Sequence, residues 1–156
     1  MAIGMLSVDD QVAIENLLKD FLAKSESQWT AVVDKGGNLF AEMGDIGTLD
    51  MSILSALAAG SFAATRELAK RLGEQEFTAL YHEGSRISIL MTALDFDCLL
   101  LTVFGEKTNI GLVRFYAQQT TAGLNGALSN ASESEAQFGP LEIDEAEASG
   151  SGPIIR

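Results

Sequence analysis

The side chains that could carry chemistry are few and poorly placed for it. His82 is the only histidine and Cys98 the only cysteine. No Cys or Ser partner stands at a readable spacing from His82, so it reads as a packed or edge histidine and not as a base or metal ligand. Cys98 opens the apolar run CLLLTVF, the setting of a buried, inert thiol. A single cysteine also excludes an intramolecular disulfide and any multi-cysteine metal site. Asp95 and Asp97 flank Phe96, a spacing that turn chemistry explains better than paired carboxylates or a calcium loop. Gly36-Gly37 joins two extended runs instead of opening a helix, and no Gly-x-x-x-x-Gly-Lys-Ser/Thr segment occurs, so phosphate-loop nucleotide hydrolysis is excluded. No catalytic residue, metal or cofactor is expected.

Composition narrows the partners. The 156 residues are 47% hydrophobic, which suits one domain with a sizeable core. The longest apolar stretches are strand-length, and MAIGMLSVDD lacks the basic start and apolar core of a secretory signal; a cytoplasmic chain is expected. Ten basic residues against 22 acidic give a net charge of −12, which disfavours nucleic acid and anionic membranes. Residues 132–156 carry −5 of it, so the body is acidic too.

The elements follow from periodicity. Ser7 with Asp9 and Asp10 starts a helix whose apolar stripe (Ile14, Leu17, Leu18, Phe21, Leu22) runs to about Lys24. Trp29–Asp34 and Leu39–Met43 read as a hairpin about Lys35-Gly36-Gly37-Asn38. Asp50 caps a long helix that Gly73 ends. Thr78–Glu83, Arg86–Ala93 and Cys98–Phe104 are extended, with turns at Gly84-Ser85 and Asp95-Phe96-Asp97. Asn109 caps a last helix running to about Asn130. Helix, two strands, helix, three strands, helix, with consecutive strands joined as hairpins, makes an α+β domain with helices covering an antiparallel sheet. The domain is expected over 1–131, and 132–156 reads as an acidic, disordered tail in which Phe138, Leu141 and Ile143 form a small apolar cluster.

The central helix, 50–72, is the most informative segment. At 100° per residue, Leu54, Leu57, Ala58, Ser61, Thr65, Leu68 and Leu72 stack on one side, and Ser52, Ala56, Ala59, Gly60, Ala63, Glu67 and Lys70 lie opposite. The first side is expected to cover the sheet. A solvated face normally carries long charged side chains, yet charge appears here only at Arg66, Glu67, Lys70 and Arg71. Alanine is also the best helix former, but Gly60 costs about 0.5–1 kcal/mol relative to Ala mid-helix. A glycine retained there points to close approach by something else.

The hairpin VVDKGGNLF, the helix SALAAGSFAATRELAKRLG, the segment EQEFTALYHEGSRISILMT and the closing LLLTVFGEKTNIGLVRF resemble the Roadblock/dynein light chain family, and within it the MglB-like members. The resemblance covers residues 8–130 and is most specific from Leu57 to Met91, where Leu68-Ala69-Lys70, Leu72-Gly73-Glu74, Phe77 and His82-Glu83-Gly84 fit the pattern. It implies the roadblock order α-β-β-α-β-β-β-α with five antiparallel strands. It also implies a homodimer whose sheet continues across both subunits, with the two central helices side by side. One MglA-type Ras-like GTPase would then bind across two copies of this chain, in control of cell polarity and motility. By position the resemblance carries partner contacts onto Ala56, Ala59, Gly60, Ala63 and Glu67, with Arg66 and Lys70 at the rim. Glu67 stands where MglB proteins can have a small residue. The segment from Phe138 through Leu141 to Ile143 is similar to a tail that touches the GTPase.

Activation of Ras-like GTPases commonly uses an inserted arginine. None of Arg66, Arg71, Arg86, Arg114 and Arg156 stands in a Gly-rich loop suited to insertion, and Arg66 reads as a solvated flank charge. The resemblance instead implies an indirect mode, in which the dimer holds switch regions so that the GTPase's own residues reach the nucleotide. Two other classes are compatible with the residues: a non-activating scaffold or adaptor of the same fold for a GTPase or motor, and a sensor of a small molecule between helix and sheet.

Overall fold

In the computed structural model, which describes residues 6–138 with side chains through Glu133, each element begins where a side chain can satisfy free backbone donors. α1 (Val8–Ser25) is capped by Ser7, whose hydroxyl accepts from the Asp10 amide at 3.1 Å. β1 (Trp29–Asp34) and β2 (Leu39–Gly44) are joined by a turn in which the Asp34 carboxylate accepts from the amides of Gly36 and Asn38, both at 2.9 Å. α2 (Met51–Arg71) is capped by Asp50, which accepts from Ser52 and Ile53. Gly73 ends it at φ +92°, a left-handed position that glycine takes without strain.

β3 (Ala79–His82), β4 (Ser88–Ala93) and β5 (Cys98–Phe104) complete the sheet. The tight β4–β5 turn holds Phe96 at φ 61° and Asp97 at φ 57°, so both aspartates sit in turn geometry as expected. α3 (Ile110–Phe138) is capped by Asn109, which accepts from the Leu112 amide at 3.0 Å.

The sheet is antiparallel throughout, in the order β2-β1-β5-β4-β3. Alternation along the central strands assigns the two faces. Val32, Leu90, Leu100 and Phe104 point to α1 and α3, where they meet Ile14, Leu18, Phe21, Val113, Leu124 and Leu128. Trp29, Ala31, Val33, Leu99, Leu101 and Val103 point to α2 and meet Ala58, Ala59 and Phe62. β1 and β5, in the middle, are buried on both faces. α1 and α3 approach closely at Gly123, where an added Cβ would lie 3.1 Å from Leu17 Cδ2.

Three elements differ in length from expectation. β3 and β4 are shorter, because residues 83–87 turn away from the ladder. α3 continues to Phe138 instead of stopping near Asn130, because Leu128 and Ala131 extend its buried stripe and no proline intervenes before Pro140. Residues 132–138, expected to be disordered, are helical. Leu141 and Ile143 lie outside the described residues.

Candidate functional site

Where α2 meets the sheet is decided by Phe62, the largest side chain in the helix. It is buried against the sheet and packs on Phe77 with ring centroids 5.0 Å apart. Ser55, Ala58 and Ala59 share its face and are buried with it. The helix is therefore turned by somewhat less than one residue step of about 100° from the expected orientation. This corrects two expectations. Ala59, assigned to the outer face, is 3% exposed and packs in the core. Leu57, Leu68 and Leu72, assigned to the sheet, are 67%, 58% and 79% exposed.

The outer surface of α2 is as free of charge as expected through its first turns, but more apolar. Ile53, Leu57, Gly60, Ala64 and Leu68 run along it, with Ala56, Ala63 and Glu67 beside them, all exposed. A contiguous apolar strip on a charged protein marks a contact surface. Gly60 stands in this strip, and an added Cβ would meet no atom within 4 Å. No neighbour among the described residues of its own chain therefore requires the glycine. Ala56 differs. Gly37, at φ +87°, lies so close that an added Cβ there would come within 2.5 Å of Ala56 Cα, so the β1–β2 turn is seated on the helix at that point.

The flanks of α2 face different surroundings. On one, Arg66 lies 5.2 Å from the centroid of the Phe62 ring and 3.8 Å from Asp97, which Lys35 also approaches at 3.9 Å. Arg66 is thus drawn toward its own subunit, not extended into solvent. Glu67 pairs with Arg71 at 3.1 Å, and Lys70 is exposed. On the other flank Ser61 Oγ stands 3.5 Å from His82 Nε2 on β3, which identifies the histidine as an edge residue. Beside Leu54 opens a cavity of about 310 Å³ lined by apolar Ile46, Leu49, Ile87, Ile89 and Val103.

The two sheet edges are unequal. β2 is shielded by α1, where Gln11 Nε2 donates to the Phe40 carbonyl at 2.9 Å. β3 pairs with β4 alone among the described strands, leaving its other edge open to a further strand. Phe138 ends α3.

Cys98 is buried, and desolvation, then the charges of Asp34 and Asp97, push its thiol up to about 12. It is not a nucleophile. No group of three or more His, Cys, Asp or Glu among the described residues is arranged to hold a metal ion. No described helix is long and apolar enough to cross a membrane.

Residues 13–104 match the family model of the Roadblock/LC7 domain. The chain belongs to the Roadblock/LC7 family. Similar solved structures agree with this Roadblock/LC7 fold. Myxococcus xanthus MglB is 28% identical with a TM-score of 0.76, the match covering 83% of this chain and 96% of that one. The gliding protein MglB of Thermus thermophilus is 23% identical with a TM-score of 0.75, covering 83% and 98%. An MglB with a tetrameric arrangement is 23% identical with a TM-score of 0.78, covering 84% and 98%. No curated protein matches the chain.

Proposed function

We propose that this Roadblock/LC7 chain is a homodimeric regulator that binds one MglA-type Ras-like GTPase across its two α2 helices and stimulates GTP hydrolysis by positioning the switch regions. The observation that carries the reading is the outer strip of α2, in which Gly60 is open to space and Ala56 and Ala63 are small, exposed side chains. The 28% identity to Myxococcus xanthus MglB supports the choice of partner class.

The dimer uses what one copy leaves open. The free edge of β3 pairs with its equivalent in a second copy, and the Leu57–Leu68 flank of α2, beside the apolar cavity, meets the partner's helix. The GTPase then lies over Ala56, Gly60, Ala63 and Glu67 of both copies, with Arg66 and Lys70 at the rim. Ala59 supports this face from beneath. The chain supplies no catalytic group: Arg66 is engaged by Phe62 and Asp97, and hydrolysis is accelerated by holding the GTPase in its competent conformation.

The test is single-turnover GTP hydrolysis by an MglA-type GTPase with and without the chain. Acceleration that saturates at two chains per GTPase is expected. Stable binding with unchanged turnover assigns the chain to scaffolds instead, and no binding rejects the reading.

A further inference from the structure

On the face opposite α2 the helices cover the sheet unevenly. α1 lies over β1 and β2, and α3 packs against β4. Between α3 and the outer strand β3 runs an open groove of about 480 Å³, floored by Ala79, Leu90 and Ala117 and rimmed by Thr92, Arg114 and Gln118. Arg114 is exposed and makes no ion pair or hydrogen bond among the described residues. The groove therefore offers an apolar floor and one guanidinium free to meet a carboxylate.

We propose that this groove receives the chain's own C-terminal segment, residues 139–156, which folds back along α3 so that Glu147 meets Arg114. Charge, reach and pattern support this occupant. Glu142, Asp144, Glu145 and Glu147 concentrate negative charge just after α3, and α3 is the helix that forms one wall of the groove. From Arg114 to Phe138 the helix advances 24 residues, about 36 Å at 1.5 Å each. Residues 139–147 laid out at about 3.3 Å each return about 30 Å, and the long Arg114 side chain spans the remainder. In an extended segment Ala146 and Ala148 alternate with Glu145 and Glu147, so small apolar groups reach the floor while carboxylates stay at the rim. Tethering raises the local concentration to the millimolar range, enough for a modest contact to form.

The full chain carrying Ser149→Cys tests this. Cys98 is buried, so a nitroxide reagent labels the new cysteine selectively, and the label's effect on amide NMR signals is read against its reduced form. The amides of Ala79, Thr92 and Gln118 are expected to lose more than half their intensity. Arg114→Glu abolishes that loss, Arg114→Lys retains it, and Glu147→Arg in the Arg114→Glu background restores it. Undiminished signals at the groove, or attenuation that Arg114→Glu leaves in place, overturn the proposal. No GTPase enters the measurement, so its outcome is independent of the proposed function.

Discussion

Gly60→Ala separates the fold of α2 from its use, because the two effects have opposite signs. Gly60 lies mid-helix, and a Cβ built on it meets nothing within 4 Å. The free chain therefore gains helix propensity and loses unfolded-state entropy without a clash, about 0.5–1 kcal/mol in favour of folding. For a domain of this size that raises Tm by roughly 1–4 °C. In the proposed complex the same methyl would enter a surface approached by the GTPase backbone. Overpacking of this kind costs about 1–3 kcal/mol, or roughly 5- to 150-fold in Kd, felt at both copies. Calorimetric melting and titration of the GTP-loaded partner give the two numbers. A higher Tm with Kd unchanged within about twofold refutes the inference that Gly60 is kept for a partner, and a lower Tm refutes the placement of Gly60 in an unobstructed helix.

Ala63→Arg, a large charged group on the same exposed face, abolishes GTPase binding in pull-down while leaving Tm within about 2 °C; retained binding counts against the face. Leu57→Glu with Leu68→Glu replaces two exposed leucines and shifts the chain from dimer to monomer in sedimentation without unfolding it, whereas an unchanged dimer removes this flank from the interface. Cys98 resists thiol reagents at pH 8 until denaturant is added, and rapid native labelling contradicts its burial. Its folded-state pKa of about 12 stands above the ordinary 9.0. The thiol thus stays protonated in the fold while it ionises in the unfolded chain. Its contribution is present in full below about pH 9 and is lost as pH rises toward 12, which denaturant midpoints across that window detect as a decline.

Much of the fold was legible because its signals are local. Ser7, Asp50 and Asn109 are caps whose side chains satisfy helix amides directly, and the turns at Gly37 and at Phe96-Asp97 carry left-handed residues where the sequence breaks between apolar runs. The rotation of α2 was less legible, since the helix has apolar residues nearly all round. The stripe through Leu54, Leu57 and Leu68 competes with the one through Ser55, Ala58, Ala59 and Phe62. The smaller residues win because they let the helix backbone lie close to the sheet while the Phe62 ring fills the space beside Phe77. Phe62 was the available signal: centring the buried face on the bulkiest side chain places Ala59 inside and Leu57 outside. The length of α3 escaped a reading by composition, because Ser, Glu and Ala in 131–138 suit a helix as well as a tail once Leu128 and Ala131 anchor it. Contacts between distant segments, such as Gly37 on Ala56 or Arg66 beside Asp97, leave no trace in the sequence.

The central claim is that the outer face of α2 receives a GTPase shared between two copies of the chain. Amide chemical-shift mapping during titration with a GTP-loaded MglA-type protein tests it most directly. Shifts at Ala56, Gly60, Ala63 and Glu67 that saturate at one GTPase per two chains are predicted. Shifts confined to α1 and α3, or saturation at one GTPase per chain, contradict it.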